Sequence, residues 1–254
     1  KPARNRPEAP KHEGPKARRN HSGARPKPHR PDSADLQPSS AIHQHFPNVA
    51  PMGEAVKRGE SLHELGRQGA RRAKQWLEST SRVDACWVNP DKGAADKLSF
   101  DWPQGGESFS FDLGGTLRYG DFHGQMFYAE VKKYANSGDL PAHYREFLAK
   151  CYVAYLAMPR LADNFMWISW APHAATTWDR LTSADTVKTA VIANAKRVFA
   201  DGANAEELAD DEVCAKVAER LWLLVLSDKQ EALVPDPVHL GLIHNHELLK
   251  ASGS

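Results

Sequence analysis

The order of periodic segments along this sequence of 254 residues predicts an α/β fold. Segments whose apolar residues recur every three to four positions, as in helices, lie on both sides of segments whose apolar residues alternate, as in strands. The predicted order is helix, three strands, helix, strand and then a helical remainder. This order is typical of a layered structure in which helices cover a mixed sheet.

The first 52 residues differ in composition from the rest of the chain. They contain ten of the seventeen prolines and few large apolar residues, so they cannot bury enough surface to offset their ordering entropy. Residues 1–31 carry ten Lys or Arg against two Glu, about +8, so the formal total of +1 leaves about −7 for the remainder. We predict a disordered, basic, Pro-rich tail over residues 1–52 and one domain over residues 53–254. The tail suits either a nucleic-acid contact or a solvated linker.

Several classes of protein lack support in the sequence. The three cysteines, at positions 86, 151 and 214, form no CxxC pair, which argues against a disulfide framework or a zinc ribbon and favours a reducing compartment. The sequence has no phosphate-binding GxxxxGK[ST] or GxGxxG pattern and no local signature of a hydrolase triad. No stretch reaches the roughly 18 consecutive apolar residues of a membrane helix. We expect a cytoplasmic protein without a membrane partner and, because the chain begins at Lys1 rather than Met, part of a longer chain or complex.

The first helix is predicted over residues 61–80, with Ser61 and Glu64 as a capping box. A strand is predicted at residues 83–88, a second over 107–119, where Phe109, Phe111 and Leu113 alternate with polar residues, and a third over 125–134. Gly114 and Gly115 indicate a bulge, a bend or a close approach of two backbones. Across the turn at residues 119–124, the second and third strands are expected to pair antiparallel.

A second helix is predicted over residues 140–158, and its apolar stripe consists of Tyr144, Phe147, Leu148, Cys151, Tyr155 and Leu156. Residues 164–172 form a nearly continuous apolar run, typical of a strand that is covered on both faces. Two further helices are expected beyond it. Thr182 and Asp185 are candidate caps of the first, and the second is predicted as one long helix over residues 206–226.

The third strand carries the chemical pattern of most interest. Strand alternation places Glu130 and Lys132 on one face and Val131 on the other. If the preceding strand pairs antiparallel, Asp112 and Glu130 can converge near one end of the sheet. Two neighbouring carboxylates repel each other unless a cation lies between them, and Mg²⁺ prefers such oxygen ligands. The alternative is an ordinary half-buried hairpin with charged residues on its wet face.

The segments "FDLGG" and "AEVKK", followed by an amphipathic helix and an apolar strand, resemble the PD-(D/E)XK, or restriction-endonuclease-like, nuclease superfamily. The resemblance covers about residues 61–172 and implies a core of helix, three strands, helix and strand, here with additional C-terminal helices. It implies a Mg²⁺ or Mn²⁺ site formed by Asp112, Glu130 and the carbonyl of Val131, with Lys132 assisting the attacking water. The chain departs from the family pattern at Phe111, where a proline is usual, and at Ala70, where many relatives carry an acid. Glu64 and Gln68 are the substitutes considered for that acid.

The resemblance implies metal-dependent hydrolysis of DNA phosphodiester bonds. Candidate contacts with nucleic-acid phosphates are Lys133, Arg145 and Lys150. Because cutting both strands usually needs two active sites, a homodimer is a plausible state. By analogy, a nuclease with a basic linker suits the effector module of a bacterial defence system, or a toxin delivered into a target cell. Two alternatives stay open: a nuclease acting on RNA, and a non-catalytic module that uses the same fold for nucleic-acid binding or assembly.

Overall fold

A computed structural model describes residues 52–89, 91, 93–133 and 138–252, without the side chains of residues 52–63 and 85. The predicted tail, residues 1–52, lies outside the described residues except for Met52. The fold belongs to the predicted α/β class and contains a mixed sheet with several helices. No helix in the described ranges is both long enough and apolar enough to cross a membrane.

The strands of the described residues form two sheets. They are β1 (Val83–Val88), β2 (Ser99–Phe100), β3 (Phe109–Ser110), β4 (Leu113–Leu117), β5 (Met126–Lys132), β6 (Asn164–Ser169) and β7 (Leu221–Val225). The main sheet has the spatial order β1-β4-β5-β6-β7, and β2 pairs with β3 in a small second sheet. In the main sheet β4 runs antiparallel to both of its neighbours, whereas β5, β6 and β7 are parallel. The predicted antiparallel pairing of β4 with β5 is therefore confirmed, with Leu113 opposite Ala129.

Helices cover both faces of the main sheet. The helices of the described residues are α1 (Met52–Ser79), α2 (Ala95–Leu98), α3 (Leu140–Ala157), α4 (Ala184–Ala193), α5 (Ala195–Val198), α6 (Ala205–Leu208), α7 (Asp211–Ala218), α8 (Asp228–Glu231) and α9 (Pro237–Ser252). α1 packs on the face that carries Phe127, Ala129 and Val131 of β5. α3, α4 and α7 form the layer on the other face, which carries Tyr128. The sheet thus separates two hydrophobic cores.

Three predicted boundaries are wrong, each for a local reason. α1 begins at Met52, so Ser61 lies inside the helix and cannot be its N-cap. The cap of α4 is Ser183, whose hydroxyl accepts a hydrogen bond from the N–H of Thr186, and neither Thr182 nor Asp185 takes that place. The long helix predicted over residues 206–226 is instead α6, α7 and β7, because the chain leaves the helix after Ala218 and pairs with β6.

The second predicted strand is interrupted, and this interruption shapes the candidate site. Its first part, β3, pairs with β2, and its second part, β4, joins the main sheet. Between them, Phe111 is fully buried and Asp112 forms a bend. A Cβ atom at Gly114 would lie 2.5 Å from Cδ2 of Leu98, so glycine is needed for the predicted close approach.

Candidate functional site

Asp112 lies directly before the first residue of β4, at the edge of the hydrogen-bond ladder between β4 and β5. Its backbone N–H donates to the carbonyl of Ala129 at 2.9 Å, and its carbonyl accepts from the N–H of Asn89 at 3.0 Å. The next N–H of β5 that points toward β4, that of Val131, donates to the Oδ2 atom of Asp112 at 2.7 Å. The carboxylate therefore takes the place of a backbone carbonyl in the ladder, and this fixes it beside the peptide that follows Glu130.

Glu130 lies on β5 and points to the α3 face, where it is only 5% exposed. Its Oε1 atom is 2.6 Å from Nζ of Lys132, two residues further along the strand. Its Oε2 atom is 3.3 Å from Nζ of Lys150, which extends from α3. A buried carboxylate is strongly unfavourable unless it is paired, and here two ammonium groups from two elements provide the pairing.

The two acids differ in their pKa values. Burial raises the pKa of Asp112 to about 6, and the negative charge of Glu130 adds to this effect, while Lys132, the Val131 N–H and Lys150 oppose it. Burial also acts to raise the pKa of Glu130, but the charges and hydrogen bonds of Lys132 and Lys150 outweigh it and leave that pKa lowered. Glu130 is thus ionised, and its negative charge makes the neighbouring Asp112 harder to ionise. Perturbed acids of this kind are characteristic of functional sites.

Asp112, Glu130 and Lys150 line a cleft of about 610 Å³. The opposite wall is the loop of residues 101–108, in which Gly105 and Gly106 adopt positive φ angles. Arg197 closes one side of the cleft, since it pairs with Glu146 at 2.8 Å and lies 5.4 Å from the ring of Trp102. The two acids therefore border an open cleft on the α3 face of the sheet.

The donor set around Asp112 is suited to a hard divalent cation. Glu130 and Asp112 supply carboxylate oxygens, and Val131 directs its N–H toward Asp112. Because the N–H and C=O of one strand residue point to the same side, the Val131 carbonyl faces that side too. Mg²⁺ takes oxygen ligands, often one or two carboxylates, and retains several waters, so these three groups fit it. Among the described residues there is no group of three or more His, Cys, Asp or Glu that could hold a metal ion. The candidate centre therefore has two acids.

Glu64 does not lie with Asp112 and Glu130, so the prediction that Glu64 is a metal ligand is not supported. Glu64 pairs with Arg67 at 2.6 Å and also accepts from Gln68. Its helix, α1, packs on the other side of β5, where a Cβ atom at Gly69 would lie 3.1 Å from Cβ of Lys133. The sheet therefore lies between α1 and the side chain of Glu130.

The three predicted phosphate contacts lie in three different environments. Lys133 points away from Lys132, as expected from strand alternation, and its Nζ atom is 5.5 Å from the ring of Trp170. Arg145 is exposed on α3. The Lys150 side chain is largely buried and ion-paired with Glu130, so it belongs to the centre of the cleft rather than to an outer phosphate-binding surface.

Sequence reasoning missed the pairing of Lys150 with Glu130. A signal was present, since Lys150 interrupts the apolar run "FLAKCYVA", where a charged residue needs a buried partner. The next residue, Cys151, is also close to Glu130. Burial, followed by the negative charge of Glu130, raises the pKa of the Cys151 thiol well above its usual range, so it stays protonated. The thiolate chemistry of reactive cysteines is therefore not expected at this position.

A scan against protein-family models, a search of curated proteins and a search of solved structures found no match to this chain. The function is therefore argued from the geometry of the cleft.

Proposed function

We propose that this domain is a metal-dependent nuclease that hydrolyses DNA phosphodiester bonds. The observation that carries the proposal is the Asp112 carboxylate, which the Val131 N–H holds beside a Glu130 carboxylate that is paired with Lys132. We further propose that the core is of the restriction-endonuclease-like type. The order of α1, β1, β4, β5, α3 and β6 along the chain follows the order implied by the resemblance, with α2, β2 and β3 as an insertion, and this supports the assignment.

Five residues in and beside the cleft have a role in the proposed reaction. Asp112, Glu130 and the Val131 carbonyl would hold Mg²⁺ or Mn²⁺. When bound, such an ion supplies Lewis-acid polarisation of a phosphoryl oxygen and a water of lowered pKa. The ammonium of Lys132 orients the attacking water and offsets the negative charge that develops on the phosphate. Lys150 holds Glu130 ionised and in position from the opposite side.

The net charge of the cleft affects whether nucleic acid can bind there. Four acids and two bases line it: Glu107, Asp112, Glu130, Glu146, Lys150 and Arg197. Both bases, and Lys132 beside the cleft, are already ion-paired with acids of the cleft. The acids still outnumber the bases by one, so the surface is net acidic and repels a phosphate backbone. A divalent cation would reverse this repulsion. We expect nucleic acid to enter the cleft only when the cation is bound.

The test is cleavage of plasmid DNA in the presence of Mg²⁺ or Mn²⁺, with and without a chelator. Removing one charge-stabilising group from an active site typically costs about 10²- to 10³-fold in rate. We therefore expect Glu130→Ala and Lys132→Ala to reduce cleavage by at least that factor. The matched control is Lys229→Ala, which removes an exposed ammonium of α8 outside the cleft lining and should leave cleavage unchanged. Circular dichroism establishes that each variant is folded.

Other outcomes of this assay identify other functions. Cleavage that survives both chelator and Glu130→Ala would contradict the proposed centre. Metal-dependent cleavage of RNA, with DNA left intact, would identify a ribonuclease. Binding without cleavage, unaffected by Glu130→Ala and weakened when residues 1–31 are removed, would identify a non-catalytic binding module. The basic composition of those residues is the observation that favours this last alternative.

A further inference from the structure

A second cavity lies at the end of β4 farthest from Asp112. Its volume is about 450 Å³, within the range of small-molecule binding sites. The end of α1, the start of β1, the turn of residues 119–122 and the strands β6 and β7 surround it. Leu77, Val83, Leu117 and Met166 of its lining belong to the core on the α1 face. The cavity is therefore on the opposite face of the sheet from the side chain of Glu130.

Aromatic rings form much of the cavity wall. Trp76, Tyr119, Phe122 and Trp222 all contribute to it. The Nε1 atom of Trp222 donates to Oδ1 of Asn164 at 2.9 Å, which fixes the indole ring in place. Phe122 packs edge-on against Trp222 at 5.3 Å and is itself 46% exposed, so it lies at the mouth. These rings are arranged to contact a flat apolar group.

Two arginines line the same cavity, and they differ in their pairing. Arg118 forms an ion pair with Asp84. The exposed guanidinium of Arg82 lies 6.0 Å from the ring of Tyr119, and within the described ranges it forms no ion pair with a carboxylate. Asp121 also lines the mouth and is exposed. Arg82 therefore provides a cation that can accept an anionic group at the rim.

The backbone of Tyr119 is strained where it lines the cavity. Its φ of 58° and ψ of 155° fall in a region that is essentially restricted to glycine. The N–H of Tyr119 donates to Nδ1 of His123 at 3.1 Å, and the two rings are stacked, so the conformation is held by specific contacts. Strain of this kind concentrates at active sites and ligand clamps. The Tyr119 ring in this conformation is near both Arg82 and His123.

We propose that this cavity binds a small ligand that has an aromatic body and one anionic group. The aromatic body lies among the rings of Trp76, Phe122 and Trp222, and the anionic group lies on the guanidinium of Arg82. This site is independent of the proposed nuclease function, because it shares no lining residue with the cleft around Asp112.

The test uses two fluorescent probes that differ by one charge. Anilinonaphthalenesulfonate carries a sulfonate, and phenylnaphthylamine has a similar aromatic body without it. We expect both probes to bind saturably, and Arg82→Gln to weaken the anionic probe roughly ten-fold, as expected for the loss of a charge-assisted hydrogen bond, while the neutral probe changes little. Asp121→Asn should leave the anionic probe unchanged or strengthen its binding.

Two further variants locate the binding. Thr80 is exposed at the rim, so Thr80→Trp should block the cavity and weaken both probes, and circular dichroism checks that this variant is folded. Leu242 is exposed on α9, outside the cavity lining, and Leu242→Gln should change neither probe. The proposal is overturned if neither probe binds, if Thr80→Trp has no effect, or if Arg82→Gln weakens both probes equally.

Discussion

Asp112 shows how one side chain can be hydrogen-bonded to the backbone and still line the candidate site. Its Oδ2 atom accepts the N–H of Val131, which the strand ladder would otherwise leave without a backbone partner at this point. A buried N–H without an acceptor costs about 1–3 kcal/mol. An alanine at this position would therefore lose stability together with the candidate ligand. Asparagine keeps an acceptor oxygen and removes only the charge, so Asp112→Asn is the informative variant.

His173 gives a prediction for the pH dependence of stability. It is 5% exposed, among the rings of Tyr144 at 4.9 Å, Trp167 at 5.6 Å and Trp178 at 6.4 Å. Burial lowers the pKa of His173. Below about pH 6.5 the unfolded chain binds a proton that the folded chain excludes, so the free energy of unfolding should fall as the pH falls.

Urea unfolding between pH 5 and pH 7.5 measures this effect. His173→Gln should reduce the loss of stability on the acid side of about pH 6.5. The exposed His246→Gln is the control and should keep the slope of the parent protein. If His173→Gln and the parent lose stability in parallel, other groups determine the acid sensitivity.

Contacts between candidate residues could be predicted from the sequence where both residues belong to the same strand. Strand alternation alone put Glu130 and Lys132 on one face, and the structure pairs them at 2.6 Å. The pairing of Glu130 with Lys150 joins two elements that are twenty residues apart, and no periodicity encodes it. The same is true of Arg197, which reaches the cleft from α5.

Among the elements, α1 offers a controlled comparison of two glycines. A Cβ atom at Gly66 would meet no atom within 4 Å, whereas one at Gly69 would lie 3.1 Å from Cβ of Lys133 and 3.5 Å from Cγ1 of Val131. Gly to Ala in an exposed helix position stabilises by about 0.5–1 kcal/mol. We expect Gly66→Ala to raise the free energy of unfolding by that amount. Gly69→Ala should gain less or lose stability, because the helix and β5 must move apart.

Denaturant unfolding of the two variants isolates the contact between α1 and β5, because the change in helix propensity is the same in both. Equal stabilisation by the two substitutions would show that α1 does not pack closely on β5 at Gly69. The Gly69 contact would then no longer locate α1 on the face opposite Glu130, and Glu64 would become a candidate ligand again.

β7 explains why the C-terminal part of the chain was predicted incorrectly. Val213, Val217, Leu221 and Leu224 recur at helical spacing, so the pattern favours one helix. The structure instead begins α7 at the Asp210 cap and ends it at Ala218, and the run "LWLLV" then pairs with β6. A buried strand and a buried helix segment cannot be separated by periodicity when the apolar run is this short. By contrast, β1 has the predicted bounds because a turn precedes it at residues 80–81.

At the scale of the whole molecule, the main sheet separates two hydrophobic cores, and one of the two cavities described above lies on each of its faces. The cleft around Asp112 opens on the α3 face. The second cavity, lined by Trp76, Tyr119, Phe122 and Trp222, lies on the α1 face at the other end of β4. Effects of substitutions at well-separated sites usually add. Changes at Arg82 should therefore leave metal binding unaffected, and changes at Asp112 should leave probe binding unaffected.

Binding of a cation at the cleft should stabilise the entire fold, and this can be measured without nucleic acid. A ligand that binds only the native state adds about 2.7 kcal/mol at a concentration one hundred times its dissociation constant. We expect Mn²⁺ or Mg²⁺ to raise the melting temperature of the parent protein and of Lys229→Ala. In Asp112→Asn the increase should be largely lost, because one of the two carboxylates proposed to hold the ion would be replaced by a neutral amide. An equal increase in Asp112→Asn would place the stabilising ion elsewhere on the molecule and would remove the physical basis for a metal-dependent reaction at this cleft.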